Sequence, residues 1–182
     1  RLFRSALEEA KQSNVQMELS QSAQSLAYLL AKRSAFTDAE ALLFETLNTL
    51  ENLSPRDNLA MSGVLEAIGT VYLQRKEWYR AAVFLTRSAV LRKASDEPKS
   101  ARMATLLTKL AAAEVKLGNF DAAEALLRRA LKKKENIFGS EHPALIESLY
   151  ELGSLLGRLQ RYNDAEVLLL RALNLIGEPN VK

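Results

Sequence analysis

The residues of this chain that could do chemistry are few and scattered. Its sole histidine, His142, sits in the stretch GSEHPAL beside Ser140 and Glu141. A serine–histidine–carboxylate device needs its three groups brought together from separate places, and Ser140 is too near His142 in sequence for that geometry. The stretch reads instead as the start of a helix, with Ser140 or Glu141 near enough to cap it. The run RRALKKKE, Arg128 to Glu135, is densely basic, but a helix spreads such residues around its circumference, and Glu124 and Arg128 form a favourable pair one turn apart. A solvated outer face is expected there, with Lys132 to Lys134 complementing the negative end of a helix. The carboxylates of the repeated DAE triplets, Asp38/Glu40 and Asp164/Glu166, sit where helices open and negative charge is stabilising. Cysteine is absent, which removes thiolate catalysis, disulfides and cysteine-based metal sites. No glycine-rich phosphate loop or metal-spaced cluster is present, so the sequence predicts neither an enzyme nor a cofactor or metal site.

The elements that carry these residues are more informative. The chain has 182 residues, 48% of them hydrophobic and 26% charged, as in soluble globular proteins. Its longest apolar run, LAYLLA from Leu26 to Ala31, is far shorter than the roughly 20 residues of a membrane-spanning helix. A net charge of +3 falls short of the dense basic stripe used on nucleic acids. Neither membrane insertion nor nucleic-acid binding is expected. The lack of cysteine fits a cytoplasmic location and an organelle interior equally well. Because the chain opens on Arg1 inside a helical pattern, any targeting segment is expected upstream.

One line of sequence recurs. Ala39, Ala81, Ala123 and Ala165 are each 42 residues apart, and the aromatic three positions earlier keeps step as Phe36, Trp78, Phe120 and Tyr162. Leu43, Leu85, Leu127 and Leu169 follow the alanines, and Ala27, Gly69, Ala111 and Gly153 precede them at the same period. Leu26, Ile68, Leu110 and Leu152 stand directly before those small residues, so five positions are held in register and identify an internal repeat. Each unit holds two stretches of helical period joined by a short turn, such as LTKLAAAEVKL, GN and FDAAEALLRRAL, and so predicts an antiparallel helix pair. The small residues are placed where two helices cross closely, with the aromatic and leucines filling the space beside them. NLSPRD, ASDEPKS and FGSEHP each carry a proline and separate the pairs. LFRSALEEA aligns with LLRRALKKK, Phe3 opposite Leu127 and Ala6 opposite Ala130. Residues 1–13 are therefore expected to be the second helix of a preceding unit, followed by repeats over 18–56, 57–97, 98–140 and 141–182.

This pattern resembles the tetratricopeptide repeat. The 42-residue spacing, the YxxAExLLxRAL form of Tyr162 to Leu173 and the His142–Pro143 pair before a helix are similar to the long repeats of kinesin light chains. Armadillo repeats share a similar period but use three helices, and are the minor alternative. The resemblance implies an all-α, right-handed superhelical solenoid of antiparallel helix pairs, with a concave surface lined by the first helix of each pair. Kinesin-light-chain grooves carry paired asparagines; here the corresponding pairs are Gln24–Ser25, Glu66–Ala67, Thr108–Lys109 and Tyr150–Glu151, so that cargo preference does not carry over. The clamp positions of chaperone-binding relatives are held by Gln24, Tyr28, Ala67 and Thr105, with Lys109 the one basic match, which disfavours chaperone-tail binding.

Residues four apart share a helix face. The face opposite the packing residues is Gln24, Tyr28 and Lys32, then Glu66, Thr70 and Gln74, then Thr108, Ala112 and Lys116, then Tyr150, Ser154 and Arg158. These residues, with Lys109, are the candidate groove. They vary between units while the packing positions do not, as a constant scaffold with a specialised surface would. Tyr28 and Tyr150 offer large contact area with little entropy to lose, and Lys32, Lys116 and Arg158 favour an acidic or carboxylate-bearing segment. At the C-terminus, Leu170, Leu175 and Ile176 replace Arg128, Lys133 and Lys134 of the preceding unit. They form a candidate interface for a further helix, a second copy or a partner. The sequence thus predicts a non-enzymatic scaffold, part of a larger protein, binding a peptide or protein. The rival readings are a structural or oligomerisation spacer and a regulatory appendage of an enzyme domain outside this sequence.

Overall fold

Phe36, Trp78, Phe120 and Tyr162, the recurring aromatic of the repeat, are each the first residue of a helix in a computed structural model of the chain. The structure describes residues 2–94 and 101–177, with side chains from Asn14 to Lys93 and from Ala101 to Gly177. The helices are α1 (Leu2–Lys32), α2 (Phe36–Asn52), α3 (Asn58–Gln74), α4 (Trp78–Ala94), α5 (Ala101–Leu117), α6 (Phe120–Phe138), α7 (Ile146–Arg158) and α8 (Tyr162–Gly177). A 3-10 turn at Pro143–Leu145 leads into α7. No strand occurs among the described residues. Two compact units result, Arg1–Glu97 with α1 to α4 and Pro98–Lys182 with α5 to α8.

The reversal inside every pair is built identically. Ser34, Lys76, Gly118 and Gln160, again 42 residues apart, all have positive φ. The next amide reaches back five residues in each case: Ala35 to Leu30, Glu77 to Tyr72, Asn119 to Glu114 and Arg161 to Leu156, all at 2.9 Å. This is the left-handed helix stop that satisfies carbonyls otherwise left without partners. Gly118 is the one glycine among the four, which is why only the Gly118–Asn119 turn is recognisable from composition.

Inside the pairs the small residues sit at the crossings, as their spacing requires. A Cβ added to Gly69 would lie 2.6 Å from Leu85 Cγ, and one added to Gly153 would lie 2.8 Å from Leu169 Cγ. At the equivalent places Ala27 and Ala111 are buried, as are Ala39, Ala81, Ala123 and Ala165. In the first unit the α1–α3 contact is partly polar. Ser20 Oγ donates to the Ala60 carbonyl at 2.7 Å, and Gln16 Nε2 donates to the Pro55 carbonyl at 2.9 Å. Asp57 caps α3 by accepting from the Leu59 and Ala60 amides. In the second unit Leu127, Leu131, Leu145, Leu149, Leu152 and Leu156 anchor a core between α6, α7 and α8.

Several details differ from expectation. The boundary expected between a preceding unit's second helix and the first repeat falls inside α1, which runs unbroken from Leu2 to Lys32. No glycine or proline occurs between Arg1 and Lys32 to stop it; the side chains of residues 1–13, including Phe3 and Ala6, lie outside the described residues. Of the ASDEPKS stretch, residues 95–100 also lie outside them. The basic run of α6 is not wholly solvated, because Lys134 is buried and its Nζ meets Glu147 of α7 at 3.2 Å. His142 caps the 3-10 turn itself, Nδ1 accepting from the Ala144 amide at 3.1 Å, and stacks on Phe138.

Candidate protein-binding surface

The first helix of each pair presents its outward face through residues four apart, and in the second unit α5 and α7 bring two such faces together. Thr108, Lys116, Ser154 and Arg158 line one open depression of about 200 Å³, whose floor includes Ala111 and Leu155. Ala112 and Glu151 complete its wall. Arg158 Cζ lies 5.4 Å from the centre of the Phe120 ring, so the first aromatic residue of α6 steadies the guanidinium while leaving it exposed. Thr108 Oγ1 donates to the Ala104 carbonyl at 3.1 Å, which leaves a lone pair of the hydroxyl oxygen outward. Tyr150 is exposed and Lys109 half-buried, both outside this depression.

Glu151 was not expected at the site. It stands two helical turns before Arg158, a separation of about 10.5 Å along an α-helix. The depression therefore has a cationic end at Lys116 and Arg158 and an anionic wall further back. The signal for Glu151 was in the sequence, since it is one position from Tyr150, but the four-residue face excluded it.

In the first unit the candidates divide. Tyr28, Lys32 and Gln74 are exposed, with Lys32 Nζ 5.3 Å over the Tyr28 ring. Gln24 is not a free groove residue: it is half-buried, and its Nε2 donates to the Ser20 carbonyl at 3.1 Å and hydroxyl at 2.9 Å, in the seam facing Gly63. Glu66 is likewise drawn inward, its carboxylate 3.9 Å from the buried Arg92 guanidinium. Thr70 is half-buried, donating to the Glu66 carbonyl at 2.8 Å. Gln24 thus turns back on Ser20 within α1, and Glu66 is drawn to Arg92 of α4, a partner that helix periodicity cannot see.

At the C-terminus Leu170 and Ile176 are exposed, but Leu175 is buried. Leu175 continues the inner stripe Ala165, Leu168, Ala172 that packs against α7. Its equivalent one repeat earlier, Lys133, is itself half-buried, so the change from charged to apolar there does not mark an exposed face.

Two arginine ties link consecutive pairs. Glu40 of α2 accepts from the Tyr72 hydroxyl at 2.6 Å and from Arg75 at the end of α3. Burial, then the hydrogen bond to Glu40, pushes the Tyr72 hydroxyl up to about 12. Glu124 of α6, two repeats on, is held by Arg161 after α7 at 2.9 Å and by Arg128 at 2.8 Å. Burial alone would raise the Glu124 carboxyl, but the hydrogen bonds from Arg128 and Arg161 outweigh it and hold it below the usual range.

Among the described residues no helix is long and apolar enough to cross a membrane. A tetratricopeptide repeat family model matches residues 59–136 and 102–176, well over half of the chain. The chain belongs to the tetratricopeptide-repeat family. Its fold is similar to that of solved repeat structures. BtubC (BKLC) from P. vanneervenii aligns with a TM-score of 0.84 and 22% identity, over 98% of this chain and 71% of that one. A Podosopora anserina putative kinesin light chain, described by its nearly identical TPR-like repeats, aligns with a TM-score of 0.77 and 16% identity, over 89% of this chain and 76% of that one. MamA from Desulfovibrio magneticus RS-1 aligns with a TM-score of 0.66 and 15% identity, over 86% and 75%. No curated protein sequence matches the chain. The tetratricopeptide fold supports a protein–protein interaction scaffold, and repeats of this family are generally non-enzymatic.

Proposed function

We propose that this tetratricopeptide-repeat protein is an adaptor that takes an acidic, extended peptide segment on the α5–α7 face of its second unit. The observation that carries this reading is the convergence of Thr108, Lys116, Ser154 and Arg158 around one depression. Two cations at one end suit a carboxylate, by a forked bond to Arg158 and a point charge at Lys116. Hydroxyls at Thr108 and Ser154 suit the peptide backbone, and Ala111, Ala112 and Leu155 supply an apolar floor. Glu151 gives direction, because a second acidic group two turns back would meet like charge. Tyr150 is a further contact for a longer segment.

The test is binding of a fluorescent peptide library varied in the number and position of Asp and Glu. Tight binders are expected to carry one acidic cluster, and Lys116→Glu with Arg158→Glu should weaken them and flatten the dependence on salt. Glu151→Gln should relax the preference for where the acid lies. If the double reversal leaves affinity untouched while helicity is intact, the ligand is not held here.

A further inference from the structure

The stacking of helix pairs leaves one stripe of each second helix in water. On α2 the stripe is Thr37, Ala41, Phe44 and Asn48, and on α6 it is Asp121, Ala125, Arg128 and Lys132. All eight are exposed, although each of these helices is packed on by the first helices before and after it. The stripe is outward by construction, whatever pairs precede or follow. Its content on these two helices is small or polar apart from Phe44, which turns sideways onto Phe84 of α4 with ring centres 5.6 Å apart. On α4 the same positions are Tyr79, Val83, Thr86 and Val90. Tyr79 is 73% exposed, Val83 41% and Val90 62%. Three such side chains in line, along about 16 Å of helix, mark a contact surface.

The stripe runs into a groove between α2 and α4. Met61 of α3, Val90 and Leu91 floor an open depression there of about 480 Å³, with Glu51, Arg56 and Arg87 around it. The second unit shows how such a groove is closed. Arg171 of α8, the equivalent of Arg87 two repeats on, meets Glu135 at 2.7 Å and donates to the Ser140 carbonyl at 2.7 Å. Glu51 and Arg56 hold the places of Glu135 and Ser140, yet Arg87 approaches Glu51 only to 3.6 Å and its side chain is 52% exposed, against 29% for Arg171. Arg56 Nε donates to the Glu51 carbonyl at 3.0 Å, which fixes a second guanidinium at the same opening. The charge along the stripe is one-sided. α4 carries Arg80, Arg87 and Lys93 as exposed cations and has no acidic residue, and the nearby Glu51 and Glu77 each already receive an arginine.

We infer that the outward stripe of α4 and the α2–α4 groove receive an amphipathic helix of a partner protein, whose apolar face covers Tyr79, Val83 and Val90 and whose acidic end bridges Arg56 and Arg87. The occupant is helical because the side chains to be covered form one straight ridge at helix spacing, which the apolar face of a second helix matches. It is acidic because its carboxylate gives Arg87 the oxygen that the Ser140 carbonyl gives Arg171, and two guanidiniums at one opening suit such a group. This surface belongs to the first unit and does not rest on the reading of the α5–α7 depression.

Fluorescence anisotropy of the whole chain with designed helical peptides tests this. Each peptide carries leucines along one face and, in one terminal turn, either glutamates, glutamines or lysines. With the chain at up to about 1 mM, where even weak association registers, the glutamate peptides should bind and their glutamine counterparts should bind about tenfold more weakly. Val83→Asp with Val90→Asp should abolish the binding of both. Arg56→Glu with Arg87→Glu should weaken the glutamate peptides by about tenfold and transfer the preference to the lysine peptides, a reversal that a damaged fold would not give. Lys116→Glu with Arg158→Glu, which disables the α5–α7 depression, should leave this binding in place. Circular dichroism confirms that each variant stays helical. Equal affinity for glutamate and glutamine peptides, binding by none of them, or binding lost on the Lys116 and Arg158 reversals but kept in the α4 variants overturns the inference. So does a stripe that binds phosphatidylserine vesicles instead of the peptides, or a chain that pairs with itself through Val83 and Val90.

Discussion

Ser34, Lys76 and Gln160 hold backbone angles that their side chains disfavour, at φ of 61°, 62° and 61°. An L-residue is roughly 1–2 kcal/mol less comfortable there than glycine, an advantage partly offset by the freedom glycine has when unfolded. Gln160→Gly should therefore raise stability by about 0.5–1 kcal/mol, and Gly118→Ala should lower it by about 1 kcal/mol. Both are read from urea midpoints. At Glu124 the prediction depends on pH. Its folded carboxyl titrates below the unfolded one, so its contribution is complete above the ordinary carboxylate range, about 4.3, and fades as pH falls through the lower folded value. Glu124→Gln should destabilise the chain at neutral pH by about 1 kcal/mol, and the difference from the parent should vanish in acid. A penalty that persists unchanged in acid would mean that packing, not the Arg128 and Arg161 ties, accounts for it.

At the scale of the helix pair, the crossings tolerate no added volume where glycine sits. Gly69→Ala puts a methyl 2.6 Å from Leu85 Cγ and 3.3 Å from the Ala81 carbonyl, and Leu85 is itself fully buried. The expected loss is about 1–3 kcal/mol. Adding Leu85→Ala should recover part of it, a non-additivity that independent sites would lack. These crossings were legible from the sequence because a small residue opposite a leucine every 42 positions has one geometric explanation. The helix starts were legible for the same reason, all four falling on the recurrent aromatic. Gln24, Glu66, Lys134 and Leu175 were not, because their surroundings are set by the helices packed against them. Periodicity says which residues share a face. It does not say whether another helix brings Gly63, Arg92 or Glu147 to that face, or whether a stripe is covered. The left-handed turn at Lys76 was hidden too, since hydrogen bonds across the turn hold a residue whose type gives no sign of it.

For the whole molecule, the division into Arg1–Glu97 and Pro98–Lys182 combines with an accident of composition. The sole tryptophan, Trp78, opens α4 in the first unit. The second unit contains only Tyr150 and Tyr162 as emitting side chains, and both are exposed. Tryptophan emission therefore watches the first unit alone, while far-ultraviolet ellipticity watches all the helices. Coincident transitions by the two signals are the mark of a single cooperative unfolding step. Gly153→Ala, which crowds Leu169 in the second unit, should shift the ellipticity curve to lower denaturant and leave the emission curve in place. Were both to move together, the two units would melt as one. The chain thus carries its own optical label on one half, and the independence of its halves is readable without attaching a dye or cutting the polypeptide.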